Sequence, residues 1–150
     1  MRSMVCRLLL ILGVLLCVAG VPDEPEKEPP PIPGKIVTGW ASQYGPGVMT
    51  ATIRLRQVWK QIPLDLSDYD GAVAVADCST IGGTVWLRFN GSWERFIIAD
   101  CGSKSDARMD DGLSGYQWMV TYNVLVEVDY ETAMRWGCVG RGAKVEAIFE

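Results

Sequence analysis

Residues 84–100 read TVWLRFNGSWERFIIAD. Thr84 to Phe89 alternates apolar and polar positions, Asn90-Gly91 follows, and Trp93 to Ala99 runs straight into Asp100. An Asn-Gly pair between two β-rich runs is a strong short-range hairpin signal, because both residues accept the positive φ of the tight turn. The spacing therefore predicts two paired strands ending on an aspartate.

Working outward, the neighbouring stretches carry mostly strand signals. Ala72 to Ala76 (AVAVA) is a continuous run of small apolar residues, as in a strand buried on both faces. The segment before it, Pro63 to Gly71, holds Asp65, Asp68 and Asp70 and reads as a surface loop. Val48 to Trp59 alternates at Ile53 and Leu55, then less cleanly, and predicts another strand. Lys35 to Ser42 is short and β-rich and ends in the turn cluster Tyr44-Gly45-Pro46-Gly47. Downstream, residues 102 to 117 read as a long polar loop with an Asp110-Asp111-Gly112 turn. Asn123 to Val128 is a strand again. Asp129 to Trp136 predicts a short helix, with Asp129 at the N-cap and Gly137 placed to end it. Ala143 to Phe149 alternates as a last strand. Six or so short strands and one short helix predict an all-β domain shaped as a closed or partly closed small barrel.

The N-terminus differs in kind. Arg2 and Arg7 precede an apolar run from Leu8 to Val18, and Val18-Ala19-Gly20 offers small residues to a signal peptidase. The run is too short to span a bilayer comfortably, so residues 1–20 are expected to be a signal peptide cleaved after Gly20, with no stable membrane insertion afterwards. Lipid modification at Cys17 is disfavoured, because Val14-Leu15-Leu16 lacks the small residue that should precede it. Residues 21–34 (VPDEPEKEPPPIPG) are proline and charge with almost nothing to bury, an extended spacer. Residues 35–150 are left as one domain with a real core.

That domain carries eleven Lys and Arg against fourteen Asp and Glu, with no basic run, so nucleic acid is not an expected partner. The chain has no histidine, which removes the commonest zinc ligand and the commonest general base. No metal or cofactor is expected, and catalysis would have to rest on carboxylates, tyrosines or a cysteine. Beyond the leader the cysteines are Cys78, Cys101 and Cys138, for which three pairings are open. A catalytic cysteine would lack the histidine that usually generates its thiolate.

Several segments together resemble a known group. GWASQYGPG (39–47) looks like the opening of the rare lipoprotein A family, and IGGTVWLRFNG with RFIIADCG resembles that family's paired strands with an aspartate at the end of the second. VEVDYETAMRWG (126–137) resembles the closing pattern of rare-lipoprotein-A-like and expansin-like domains, and AVAVADCSTIGGT the first signature of three-aspartate domains. The resemblance covers residues 38–150 and implies a six-stranded double-psi β-barrel that binds or cuts peptidoglycan or related glycans. In the lytic transglycosylases of this group an aspartate protonates the glycosidic oxygen and then takes a proton from a sugar hydroxyl, giving an anhydro sugar. By motif Asp100 corresponds to that aspartate, Glu127 falls where relatives carry an acid before the closing helix, and Asp77 falls on the three-aspartate signature.

The residues carry a physical case alongside. Asp77 and Asp100 each directly follow an apolar strand, where desolvation and a neighbouring carboxylate should raise a carboxyl pKa, as a general acid requires. Each assignment has a plainer alternative. Asp77 reads equally as a turn former, Glu127 as an outward strand residue, and Asp129 is better read as a helix cap than as catalytic. If the two strand ends are neighbours, a Cys78–Cys101 disulfide would pin the site and leave Cys138 as a free thiol. Among the aromatics, Trp40, Tyr44, Tyr116 and Trp118 are the candidates for stacking on sugar rings, whereas Trp86 and Trp136 are better read as core. One departure weakens the case for cleavage. Enzymes of the group carry an acid soon after the YGP motif, and here the first acid after Gly34 is Asp65. The expectations are therefore an exported transglycosylase-like enzyme on cell-wall glycan, a non-catalytic expansin-like wall-binding module, or, more weakly, a structural envelope protein.

Overall fold

The computed structural model describes residues 34–104 and 111–150. The expected signal peptide, Cys17, the expected spacer up to residue 33 and Asp110 of the expected turn lie outside the described residues. Six strands, β1 Val37–Gln43, β2 Gly71–Val75, β3 Thr84–Phe89, β4 Ser92–Cys101, β5 Val124–Val128 and β6 Ala143–Phe149, close into a barrel in the order β1-β5-β2-β4-β3-β6. Two neighbouring pairs, β1/β5 and β2/β4, are parallel and the remaining four are antiparallel. The described residues are mostly β, as expected, but they include three short α-helices rather than one: α1 Val48–Val58, α2 Gly115–Thr121 and α3 Tyr130–Arg135.

The hairpin of residues 84–101 forms as read. Asn90 and Gly91 both take positive φ, 49° and 84°, and Phe89 pairs with Ser92 across the turn. Alternation along each strand sends one set of side chains inward. Ala41, Val73, Val75, Val85, Leu87, Phe96, Ile98, Val126, Val128, Val145 and Ala147 fill the barrel. Trp136, at the end of α3, plugs one end, stacked on Phe89 at 4.8 Å and edge-on to Phe96 at 5.9 Å. Trp86, expected in the core, is half-buried on the outside of β3 beneath the Arg95 guanidinium, its indole N–H donating to Glu150.

A second, smaller apolar cluster lies outside the barrel wall. Met49 and Ile53 of α1 and Ile62 cover Ala72, Ala74, Ile97 and Ala99, the outward residues of β2 and β4. The expected strand over 48–59 is thus corrected to a helix. Met49, Ile53 and Arg56, at i, i+4 and i+7, form its inward side, whereas the Ile53/Leu55 alternation places one residue in and the other out. The first turn of α2, residues 115–117, likewise falls in the 102–117 stretch read as loop, and the rest of the helix runs beyond it. Ser114 and Gln117 make a reciprocal capping box that starts it.

Candidate active site

A single row of residues crosses three strand boundaries on the outer face of the barrel. Ser42 of β1 pairs with Glu127 of β5, Glu127 pairs with Ala74 of β2, and Ala74 pairs with Asp100 of β4. Residues directly opposite on neighbouring strands point to the same side of a sheet. Two strand spacings separate Glu127 from Asp100, roughly 10 Å between Cα atoms, with Ala74 between them, fully buried beneath the cluster of Met49 and Ile62.

Asp100 owes its place in the row to an irregularity. Ile98 pairs with Val73 and points inward, so strict alternation would also turn Asp100 inward. The register shifts between Val73 and Ala74, leaving Ala99 as the extra residue, and Asp100 is turned outward instead. A β-bulge that re-aims one side chain in this way is a common feature of functional strands.

Both oxygens of Asp100 are occupied. Oδ2 accepts from the Tyr44 hydroxyl at 2.9 Å, and Oδ1 faces Arg56 Nη2 at 2.9 Å. The same guanidinium donates through Nε to the Ala99 carbonyl at 3.1 Å and through Nη1 to Gln61, so α1 is tied to the bulge. Glu127 stands differently. It is 5 % exposed, between the inward Val126 and Val128, and its Oε1 accepts from the Ser42 hydroxyl at 3.1 Å. The exposed position considered for it is not what forms: Glu127 points outward yet is buried, with the Ser42 hydroxyl on its carboxylate.

Asp77 does not join the row. Its carboxylate is exposed and caps a 3₁₀ turn over Cys78–Thr80, accepting from the Ser79 backbone N–H at 2.9 Å. That backbone bond, helped by the Ser79 side chain, holds the carboxyl below its ordinary range, against the raised value expected. It lines a separate cavity of about 420 Å³ with Val75, Met119, Val120 and Phe149. The neighbouring disulfide is the expected one. Cys78 and Cys101 are bonded, joining the ends of β2 and β4, and Cys138 is a buried free thiol.

The aromatic candidates divide. Trp40 and Trp118 line one cleft of about 580 Å³ together with Ser42, Gln43, Tyr122 and Arg141. Ser42 belongs to both the cleft and the carboxylate row, so the row begins at the cleft wall, although Glu127, Ala74 and Asp100 do not themselves line the cleft. Trp40 is 43 % and Tyr122 52 % exposed, leaving flat ring surface open to a ligand. Tyr44 sits on Asp100, and Tyr116 lies beneath the Lys104 ammonium at 5.1 Å, on neither the row nor the cleft. Asp129 is the helix cap it was expected to be, accepting from Thr132 N at 2.7 Å.

Three residues of this face were not singled out beforehand. Ser42 lay within the quoted GWASQYGPG stretch, where its partner could be seen only once β1 and β5 were paired. Arg56 was hidden by reading its helix as a strand, and Tyr122 by reading the start of its helix as loop. Among the described residues no group of His, Cys, Asp and Glu could hold a metal ion. The chain matches no family model, no curated protein and no solved structure.

Proposed function

We propose that this is an exported domain acting on cell-wall glycan, peptidoglycan in the first instance, as a lytic transglycosylase in which Asp100 and Glu127 handle the protons. The observation that carries the reading is the Ser42–Glu127–Ala74–Asp100 row, whose first member Ser42 also lines a cleft walled by Trp40, Trp118 and Tyr122. An aromatic-walled cleft of this size suits stacking of sugar rings, and at Ser42 it adjoins the row that holds the two carboxylates. In this reading one carboxyl protonates the glycosidic oxygen and then takes the proton of a sugar hydroxyl as that oxygen closes on the anomeric carbon, so no water is consumed. The apolar run of residues 8–18 and the proline-rich spacer behind it support export. The alternation of two parallel pairs with antiparallel ones around a closed six-stranded barrel supports a double-psi arrangement.

A second reading is favoured by one specific observation. Arg56 and Tyr44 engage both oxygens of Asp100, and a carboxylate so held serves well as a fixed acceptor for a sugar hydroxyl. The domain would then bind or loosen the wall without cutting it, as expansin-like modules do. Digestion of purified peptidoglycan followed by mass spectrometry separates the two. Release of anhydro-muropeptides by the wild-type protein, lost in Asp100→Asn and in Glu127→Gln, is the expected result. Sedimentation with insoluble wall and no released product would leave only the binding reading.

A further inference from the structure

We propose that the outward face of α1 docks on an anionic lipid surface. The helix is apolar on two sides, the inward one packed on the barrel and the outward one open to solvent. Its inward side carries Arg56 beside Met49 and Ile53, while Val48, Ala51, Leu55 and Val58, spaced at three and four residues, make an apolar stripe facing solvent. Leu55 is 46 % exposed and Val58 74 %. A further exposed aliphatic lies close to the end of the helix. Gln57 donates to the carbonyls of Pro63 and Leu64 at 3.0 and 3.1 Å, folding the following turn back so that Leu64, 82 % exposed, sits beside the C-terminal turn of α1. Trp59 is also half-exposed, its ring beneath the Arg56 guanidinium at 5.5 Å.

Charge selects the occupant. The chain carries a net charge of −4, yet residues 35–64 contain no acid, and Arg54 and Lys60 flank the stripe. Among the described residues neither is in an ion pair. The nearest acid in sequence, Asp65, turns its carboxylate onto the Ser67 N–H. A second copy meeting this patch face to face would bring like charges together, whereas anionic headgroups complement it. Exposed aliphatics, a tryptophan and flanking cations are the composition of an interfacial helix, with the rings and aliphatics entering the headgroup boundary and the cations above them. Among the described residues no helix is long and apolar enough to cross a membrane, so contact through α1 would be at the surface.

This inference does not depend on the glycan reading. It is tested by sedimenting the full-length chain, freed of its leader if that is removed on export, with vesicles of phosphatidylglycerol and phosphatidylcholine mixed, or of phosphatidylcholine alone. Binding to the mixed vesicles that weakens with salt, and that falls about tenfold or more in a Val58→Glu, Leu64→Glu double variant, is expected. Both positions are solvent-exposed, and an unchanged thermal melt confirms that the variant is folded. No binding to the mixed vesicles overturns the proposal, as does binding that the folded variant retains. Equal binding to the neutral vesicles overturns it too. So does a wild-type dimer in analytical ultracentrifugation that the variant abolishes, since the patch would then be a contact between copies.

Discussion

Glu127 and Asp100 face the same side of the barrel but are held by different chemistry. Asp100 shares a guanidinium and a phenol and is partly open, its side chain 21 % exposed, so the ion pair itself contributes at most about 1 kcal/mol to stability. Its value lies in geometry, because Arg56 fixes both the carboxylate and the bulge carbonyl of Ala99. Glu127 is buried and accepts from the Ser42 hydroxyl of the neighbouring strand. Cys138 is the other buried group whose chemistry can be tested at this scale. Burial pushes its thiol above the ordinary value, only partly offset by the turn backbone at Cys138 and the charge of Arg141. Because the folded pKa is the higher one, this preference for the neutral thiol is fully present below the ordinary thiol pKa, about 8.5, and is lost as pH rises through the folded value. The folded protein is thus expected to resist iodoacetamide at pH 8 and to label once unfolded in urea. Rapid labelling of the folded protein at pH 8 would contradict this.

At the scale of elements, α3 shows how a six-residue helix is stabilised by one side chain. It is too short to persist alone. Asp129 caps it through Thr132 N, accepts from the Thr132 hydroxyl at 3.0 Å, and reaches across to the Ala72 N–H of β2 at 2.9 Å. Gly71 makes the crossing possible, since a Cβ there would lie 2.5 Å from Asp129 Oδ2. Asp129→Ala removes the cap and leaves a buried N–H unpaired, a loss of about 2–4 kcal/mol in urea unfolding. Asp129→Asn retains an acceptor for the cap and is expected to lose less. This helix, the Asn90-Gly91 hairpin and the AVAVA strand were legible in the sequence because each is announced by local chemistry: a cap, a turn pair, a run of buried small residues. α1 was not legible, and the reason is physical. Met49 and Ile53 sit on its buried face, but Leu55 and Val58 are turned to solvent and Arg56 inward, so its apolar residues are split between two faces and periodicity gave a strand. α2 did carry a signal, the Ser114–Gln117 spacing of a capping box, inside a segment whose polarity read as loop.

For the whole molecule, the candidate site is a product of topology. Ser42, Glu127, Ala74 and Asp100 are distant in sequence, and only the strand order β1-β5-β2-β4 brings them into one row. Sequence reasoning could name Asp100 and Glu127 from the strands and motif around them. It could not show that Asp77, following a strand of the same kind, would turn its carboxylate onto its own turn at Ser79. The disulfide between Cys78 and Cys101 closes the ends of the two strands that carry Asp77 and Asp100, so the site edge is held covalently as well as by pairing. The central claim, that this outer face receives glycan, is tested most directly by an amide and indole NMR titration of residues 35–150 with soluble peptidoglycan fragments. Shift changes are expected at Ser42, Ala74, Asp100 and Glu127 and at the indole N–H groups of Trp40 and Trp118, with Trp86 and Trp136 unmoved. Changes confined to the cavity of Val75, Asp77, Met119 and Phe149, or no saturable change anywhere, would contradict it.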